Sequence, residues 1–136
     1  MSIGTEIVSL LTSNSLGTYG TDLFLNALPE TPATCGAVFE TAGAGPTAGF
    51  GFPGIQHESP GVQIRFRGER YDDEGPRVKA QTAYRLFMTV QGSTLSGTKY
   101  LTLHPTQAPF ILDRDGDERV VWAFNALAVK ELSAAI

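Results

Sequence analysis

The sequence predicts an α+β domain, with one mainly antiparallel sheet, two helices packed on one of its faces and a long Gly/Pro-rich loop. Three observations lead there. Val62, Ile64 and Phe66 alternate strictly with Gln63, Arg65 and Arg67, which is the period-two pattern of a strand with one apolar and one polar face. Two stretches, near residues 3–12 and 73–90, instead repeat their apolar residues at helical spacing. The remaining β-prone runs are divided by turn residues, so the order reads α-β-β-loop-β-α-β-β-β, which suits helices on one side of an antiparallel sheet. A length of 136 residues fits one domain, 1–136, since domains cluster at about 100–150 residues.

Each element has its own local reason. Ile3, Ile7, Leu10 and Leu11 fall on one face of a short helix, closed by Ser13-Asn14-Ser15-Leu16-Gly17 with Gly17 as the expected left-handed cap. Asp22 to Ala27 reads as a short strand, ended by the turn-rich Leu28-Pro29-Glu30-Thr31-Pro32, and Cys35 to Thr41 as another. Ala42 to Pro60 is so rich in glycine and proline that it reads as a long loop, of the kind that tends to be functional or to order against a partner. Gly61 to Gly68 is the clearest strand. Asp72 or Asp73 then caps a helix that tolerates Pro76 in its first turn. Ala80, Ala83, Phe87 and Val90 form its stripe, widened by Leu86, and Gly92 ends it. Lys99–His104, Pro109–Leu112 and Arg119–Val129 are the last strands, the third with Trp122 and Phe124 on one face and Val121 and Leu127 on the other. Asp113-Arg114-Asp115-Gly116-Asp117 is a charged hairpin turn between the last two.

Composition narrows the function classes. The chain is 42% hydrophobic and 18% charged, the balance of a globular rather than a disordered protein. A net charge of −4 without a basic block does not propose a sequence-specific nucleic-acid reader. Cys35 is the single cysteine, so no intrachain disulfide forms and a cytoplasmic folding compartment is the simplest expectation. No apolar run approaches the ~20 residues that span a bilayer, and the Met1–Glu6 start lacks the basic-then-apolar pattern of a signal peptide. No membrane partner is expected.

The candidate chemical motifs have structural explanations. Asp113, Asp115 and Asp117 alternate as at the start of a calcium loop, but Gly116 falls at the fourth position rather than the sixth, and Phe124 stands where the twelfth-position glutamate belongs. No metal is expected there. His57 and His104 with one cysteine supply neither a closed zinc site nor a nucleophile–base triad. Asp72, Asp73 and Glu74 suit a helix start. Gly43–Gly49 lacks the Gly-Lys-Ser/Thr ending of a phosphate loop. No catalytic residue, cofactor or metal is therefore expected. Arg65 and Arg67 divide between a solvated strand face and an interface to acidic groups, or a lumen through which a polyanion passes.

Several segments together resemble the tail terminator and minor capsid proteins of long-tailed, siphovirus-type bacteriophages. They are the N-terminal helix, Thr21–Pro32 leading into Cys35–Glu40, Pro60–Arg67 before the acid-capped helix, and Ile111–Arg119 before the closing strand with Phe124-Asn125. The resemblance spans about Glu6 to Glu131. It implies a structural, non-enzymatic virion protein of the tail and neck, assembled in the host cytoplasm. Such proteins form a homo-hexameric ring on the head-proximal end of the tail tube, stop tube polymerisation and meet the head–tail connector or stopper protein. DNA passes through the ring unread. On that reading Arg65, Arg67, Asp113, Arg114, Asp115, Asp117 and Arg119 belong to the ring lumen or a subunit interface. Phe50, Phe52, Ile55 and His57, in the Gly/Pro-rich loop, are partner contacts. The rivals are another head–tail completion protein or a tube subunit, and, from a different class, a small hydrolase or ligand-binding module with a pocket holding His57.

Overall fold

A computed structural model of the chain describes residues 2–48 and 55–131. The first helix, α1, runs Ile3–Ser13, and its N-cap Ser2 hydroxyl accepts from the Thr5 N–H. Its C-terminus departs from expectation. Ser15, not Gly17, takes the left-handed conformation (φ 63°), while Leu16 N–H donates to Leu11 C=O (3.0 Å) and Ser15 N–H to Thr12 C=O (3.2 Å). This pair of bonds is a Schellman closure, and buried Leu16 supplies the apolar contact that goes with it. Packing of Leu16 thus overrides the preference for glycine.

Strand β1, Leu23–Leu25, pairs parallel to β2, Cys35–Ala48. Asn26 and Glu40 bind each other reciprocally, backbone N–H of Glu40 to Asn26 (2.8 Å) and Asn26 amide to the Glu40 carboxylate (2.9 Å). The other Glu40 oxygen accepts the Gly4 N–H at 3.1 Å. One carboxylate therefore joins β1, β2 and the start of α1, where a negative charge also suits the helix dipole.

The largest correction concerns the expected loop at Ala42–Pro60. Most of it is strand: β2 reaches Ala48, and β3, Ile55–Arg67, returns antiparallel to it. The pairing shifts register between Thr41 and Ala44 and again near Thr47. Gly43 and Gly61 stand where the two backbones approach too closely for a side chain. A Cβ on Gly43 would stand 1.9 Å from the Ser59 carbonyl oxygen, and one on Gly61 2.6 Å from that of Ala42. Glycine here marks a bulged, crowded pairing rather than a flexible loop. Gly43→Ala should accordingly open this arm at a cost of about 1–3 kcal/mol. Amide exchange should then speed up at Thr41–Thr47 while Cys35–Val38 stays protected; unchanged protection of the arm would refute the crowding.

Helix α2, Glu74–Met88, is capped by the Asp72 carboxylate, which accepts the Gly75 N–H at 3.0 Å, while Asp73 makes no capping bond. It stops earlier than expected. Thr89 ends it by returning its hydroxyl to Leu86 C=O (2.7 Å), and Gly92 (φ 62°) lies instead in an unexpected strand, β4, Gln91–Leu95. Ser96 and Gly97, both at positive φ, turn β4 into β5, Thr98–Pro105. That is the primed turn that matches strand twist. Strands β6, Phe110–Arg114, and β7, Val120–Glu131, complete the sheet.

Six of the seven strands are ordered β1-β2-β3-β7-β5-β4, and β6 pairs with β7 off that path. One edge of β7 takes β3 along its length. The other is shared, β5 along Ala126–Lys130 and β6 along Val120–Ala123. All pairings but β1/β2 are antiparallel, which bears out the α+β expectation. Both helices cover one face, where Ile7, Leu11, Ala80, Ala83 and Phe87 pack on Val38, Val62, Ile64, Phe66 and Phe124. Phe87 and Tyr84 both meet Phe124 edge-on, at 5.2 and 5.9 Å. α1 contacts β1 and β2 and also β4, which lie at opposite ends of the strand order, so the sheet wraps around it.

Candidate interaction surface

The sheet face opposite the helices carries Arg65, Arg67 and Asp113 of the residues singled out by sequence. Register sets them in rows across the strands. Phe110, Ala123, Arg65 and Ala37 form one row, Asp113, Val121, Arg67 and Cys35 the next, and Asn125, Gln63 and Phe39 lie on the other side. No helix covers these rows among the described residues.

Arg65 and Arg67, two residues apart on one strand face, have different fates. Arg65 is half-buried. Its guanidinium lies over the Phe39 ring at 4.0 Å and its Nε donates to the Gln63 Oε1 at 2.6 Å. Burial pulls its pKa down, against the upward pull of Asp113. Arg67 sits where the segment 29–35 folds over the end of the sheet. It is 5% exposed, and its guanidinium donates to the carbonyls of Ala33 (3.0 Å), Pro32 (2.9 Å), Glu30 (3.2 Å) and Pro29, with the Cys35 Sγ at 3.3 Å. The chain itself thus occupies the Nε and Nη2 donors of Arg67. Burial pushes the Cys35 thiol pKa up, with Arg67 and Arg119 opposing.

Arg119 is likewise internal. Its Nε donates to Asp115 Oδ2 (2.6 Å), Nη1 to the Glu30 carbonyl (2.8 Å) and Nη2 to the Glu30 carboxylate (3.1 Å). Burial lowers its pKa, and the hydrogen bond and charge of Asp115, with Glu30 and Asp117, more than offset that for a net rise. Two arginines, one on β3 and one in the turn just before β7, therefore grip the same segment. Asp115 closes the β6–β7 hairpin from inside, accepting the N–H groups of Asp117 (2.9 Å) and Arg119 (3.0 Å). It too serves the fold rather than a partner. Asp113, Arg114 and Asp117 stay exposed, Arg114 near Glu118 (3.5 Å) and Asp73 (3.9 Å).

The backbone and side-chain hydrogen bonds from Arg119, with that of the Asp117 N–H, hold the Asp115 carboxyl below its ordinary pKa. A depressed folded pKa adds stability that is complete above the ordinary carboxylate value of about 3.9 and fades as pH falls through the lowered one. The Tm gap between the protein and Asp115→Asn should thus be constant from pH 7 to about 5 and close only in stronger acid; a gap independent of pH would contradict this role.

His57 is half-buried in β3, opposite Thr47 of β2 and Glu131 of β7, rather than in a loop. His104 is exposed on β5 opposite Leu127. Register therefore sets the two histidines on different strands and in different rows. Ile55 begins β3; Phe50 and Phe52 lie outside the described residues. The exposed Ile111 and Leu112 stand on β6, which among the described residues pairs only with β7.

Sequence reasoning missed one cluster altogether. Glu6 of α1 and Lys130 of β7 are 0% and 1% exposed and meet at 2.7 Å. Tyr100 donates to the same Glu6 oxygen (2.8 Å), and Glu58 lies 3.6 Å from the Lys130 amine. Burial, and after it the hydrogen bond and charge of Glu6, push the Tyr100 phenol pKa far up. The signal was present: Glu6 falls on the stripe of Ile3 and Ile7, and Lys130 keeps the alternation of Phe124, Ala126 and Ala128.

No curated protein matches the chain. The family model for the bacteriophage tail terminator protein matches residues 10–132, from the last turn of α1 through β7, including the Arg65 face and the acidic hairpin. The chain thus belongs to the bacteriophage tail terminator family, as a tail-associated structural protein of the virion.

Proposed function

We propose that copies of this chain close into a ring, a hexamer, on the head-proximal end of the tail tube, where they end tube polymerisation and form the joint to the head connector. The observation that carries this reading is that the sheet ends in different strands on opposite flanks. Among the described residues β1 ends one side of the strand order, its Leu23 already bonded to Thr18 and Gly20, and β4 ends the other, while β6 has no strand partner but β7. A ring is built head-to-tail, and such a contact needs two different surfaces on opposite sides of one subunit; open strands can supply them by added pairing. The β2–β3 arm, reaching past the bulge at Gly43, offers a contact to a neighbour or to the tube. DNA passes through the ring without being read, and assembly takes place in the host cytoplasm.

Mixing the purified protein with tail tube subunits tests this. Tubes should stop growing at one end, with a density of about six subunits' mass by light scattering and a ring in negative-stain images. Self-made filaments would point instead to a tube subunit. A monomer that leaves tube growth unchanged would overturn the reading.

A further inference from the structure

We propose that Arg65 is a preformed receptor for an aspartate or glutamate carboxylate on a neighbouring protein subunit of the assembled tail. The proposal rests on the assembly reading above only in requiring that a neighbour exists.

Two constraints hold the guanidinium in place. The Phe39 ring lies against one of its faces at 4.0 Å, and Gln63 takes its Nε proton at 2.6 Å. Its two terminal nitrogens make no hydrogen bond among the described residues. They are the fork that grips a carboxylate through two parallel bonds. An arginine fixed by stacking loses less side-chain entropy per bond it forms than a mobile lysine would.

The floor beneath the fork is apolar. Ala37 and Ala123, its partners across β2 and β7, are fully buried, and Phe110 ends the row. A half-desolvated arginine on such a floor resembles the anchor residues at the centre of protein interfaces, where water is excluded and an ion pair gains strength. Crowding does not explain the spare donors. Two residues away the same strand commits the Arg67 Nε and one terminal nitrogen to backbone carbonyls.

The surroundings favour a carboxylate over a DNA backbone. Arg65 is the one exposed cation in its own row and in the rows on either side among the described residues. Asn125, Gln63 and Phe39 flank it on one side, and the acid Asp113 lies in electrostatic reach on the other. A single carboxylate meets the fork without crossing that acid, whereas a polyanion needs repeated positive charge along its path. The same geometry rules out the chain's own hairpin as the complement in a ring. Asp113 and Arg65 occupy neighbouring rows of one face, while a head-to-tail contact draws its two halves from different faces.

The test compares Arg65→Lys, Arg65→Gln and Phe39→Leu in the full chain, each first shown to melt like the original protein. Assembly onto tubes should weaken at least tenfold for both arginine variants, because the lysine keeps the charge and loses the fork, and by a smaller factor for Phe39→Leu. Virions carrying Arg65→Lys are then treated with a zero-length carbodiimide. The activated carboxylate should pass to the new amine as an amide, releasing the urea, and mass spectrometry should place that amide on an Asp or Glu of another subunit. Such a crosslink to a head or tube protein would keep the receptor even if wild-type protein formed no ring. Normal assembly of Arg65→Lys and Arg65→Gln would overturn it, as would full rescue by lysine with no amide to a carboxylate of another subunit.

Discussion

Lys130→Met should cost about 3–5 kcal/mol of stability, because it leaves the Glu6 carboxylate buried without its cation. The charge sits under α1, with Tyr100 as its remaining hydrogen-bond partner and one oxygen already unpaired. The loss should appear as a Tm lower by on the order of 10 °C and as faster exchange of α1 amides. The double variant Glu6→Leu/Lys130→Met should recover most of it, since replacing a whole buried pair by apolar groups is often neutral. A single-variant loss under about 1 kcal/mol, the value of an exposed pair, would show that the cluster is open to water.

Arg67→Met should cost about 3 kcal/mol or more, since carbonyls at Pro29, Glu30, Pro32 and Ala33 lose a charged donor together. The segment 29–35 should lift, and Cys35 beneath it should react faster with a thiol reagent. The direction is diagnostic. Removing the Arg67 charge by itself raises the thiol pKa and slows the reaction, so acceleration can come only from release of the segment. Arg65→Met, from the neighbouring half-exposed position, should cost no more than about 1 kcal/mol. Equal losses at the two sites would refute the division of roles.

The Gly43 arm and the Asp115 turn show how local signals succeed and fail. Asp115-Gly116 was legible as a turn because a tight hairpin needs those residues within a few positions of each other, and the structure uses Asp115 to close it. Gly43 was misread because glycine signals freedom when a segment is viewed alone. Only the partner strand reveals that its missing side chain makes room for the Ser59 carbonyl.

The sequence by itself determined the core face of β3 and α2 and the order of the elements other than β4 and the β2–β3 arm, which follow from periodicity and local punctuation; its segments also carried the resemblance to tail terminators. It could not separate Arg65 from Arg67. They share a residue type, a strand and a face, and differ in whether a distant segment folds over them. Nor did it pair Glu6 with Lys130, 124 residues apart. Periodicity reports which side of an element is apolar. Whether a polar side chain there is buried and bound, or stands ready for a partner, depends on what other elements cover it, and only the tertiary structure decides that.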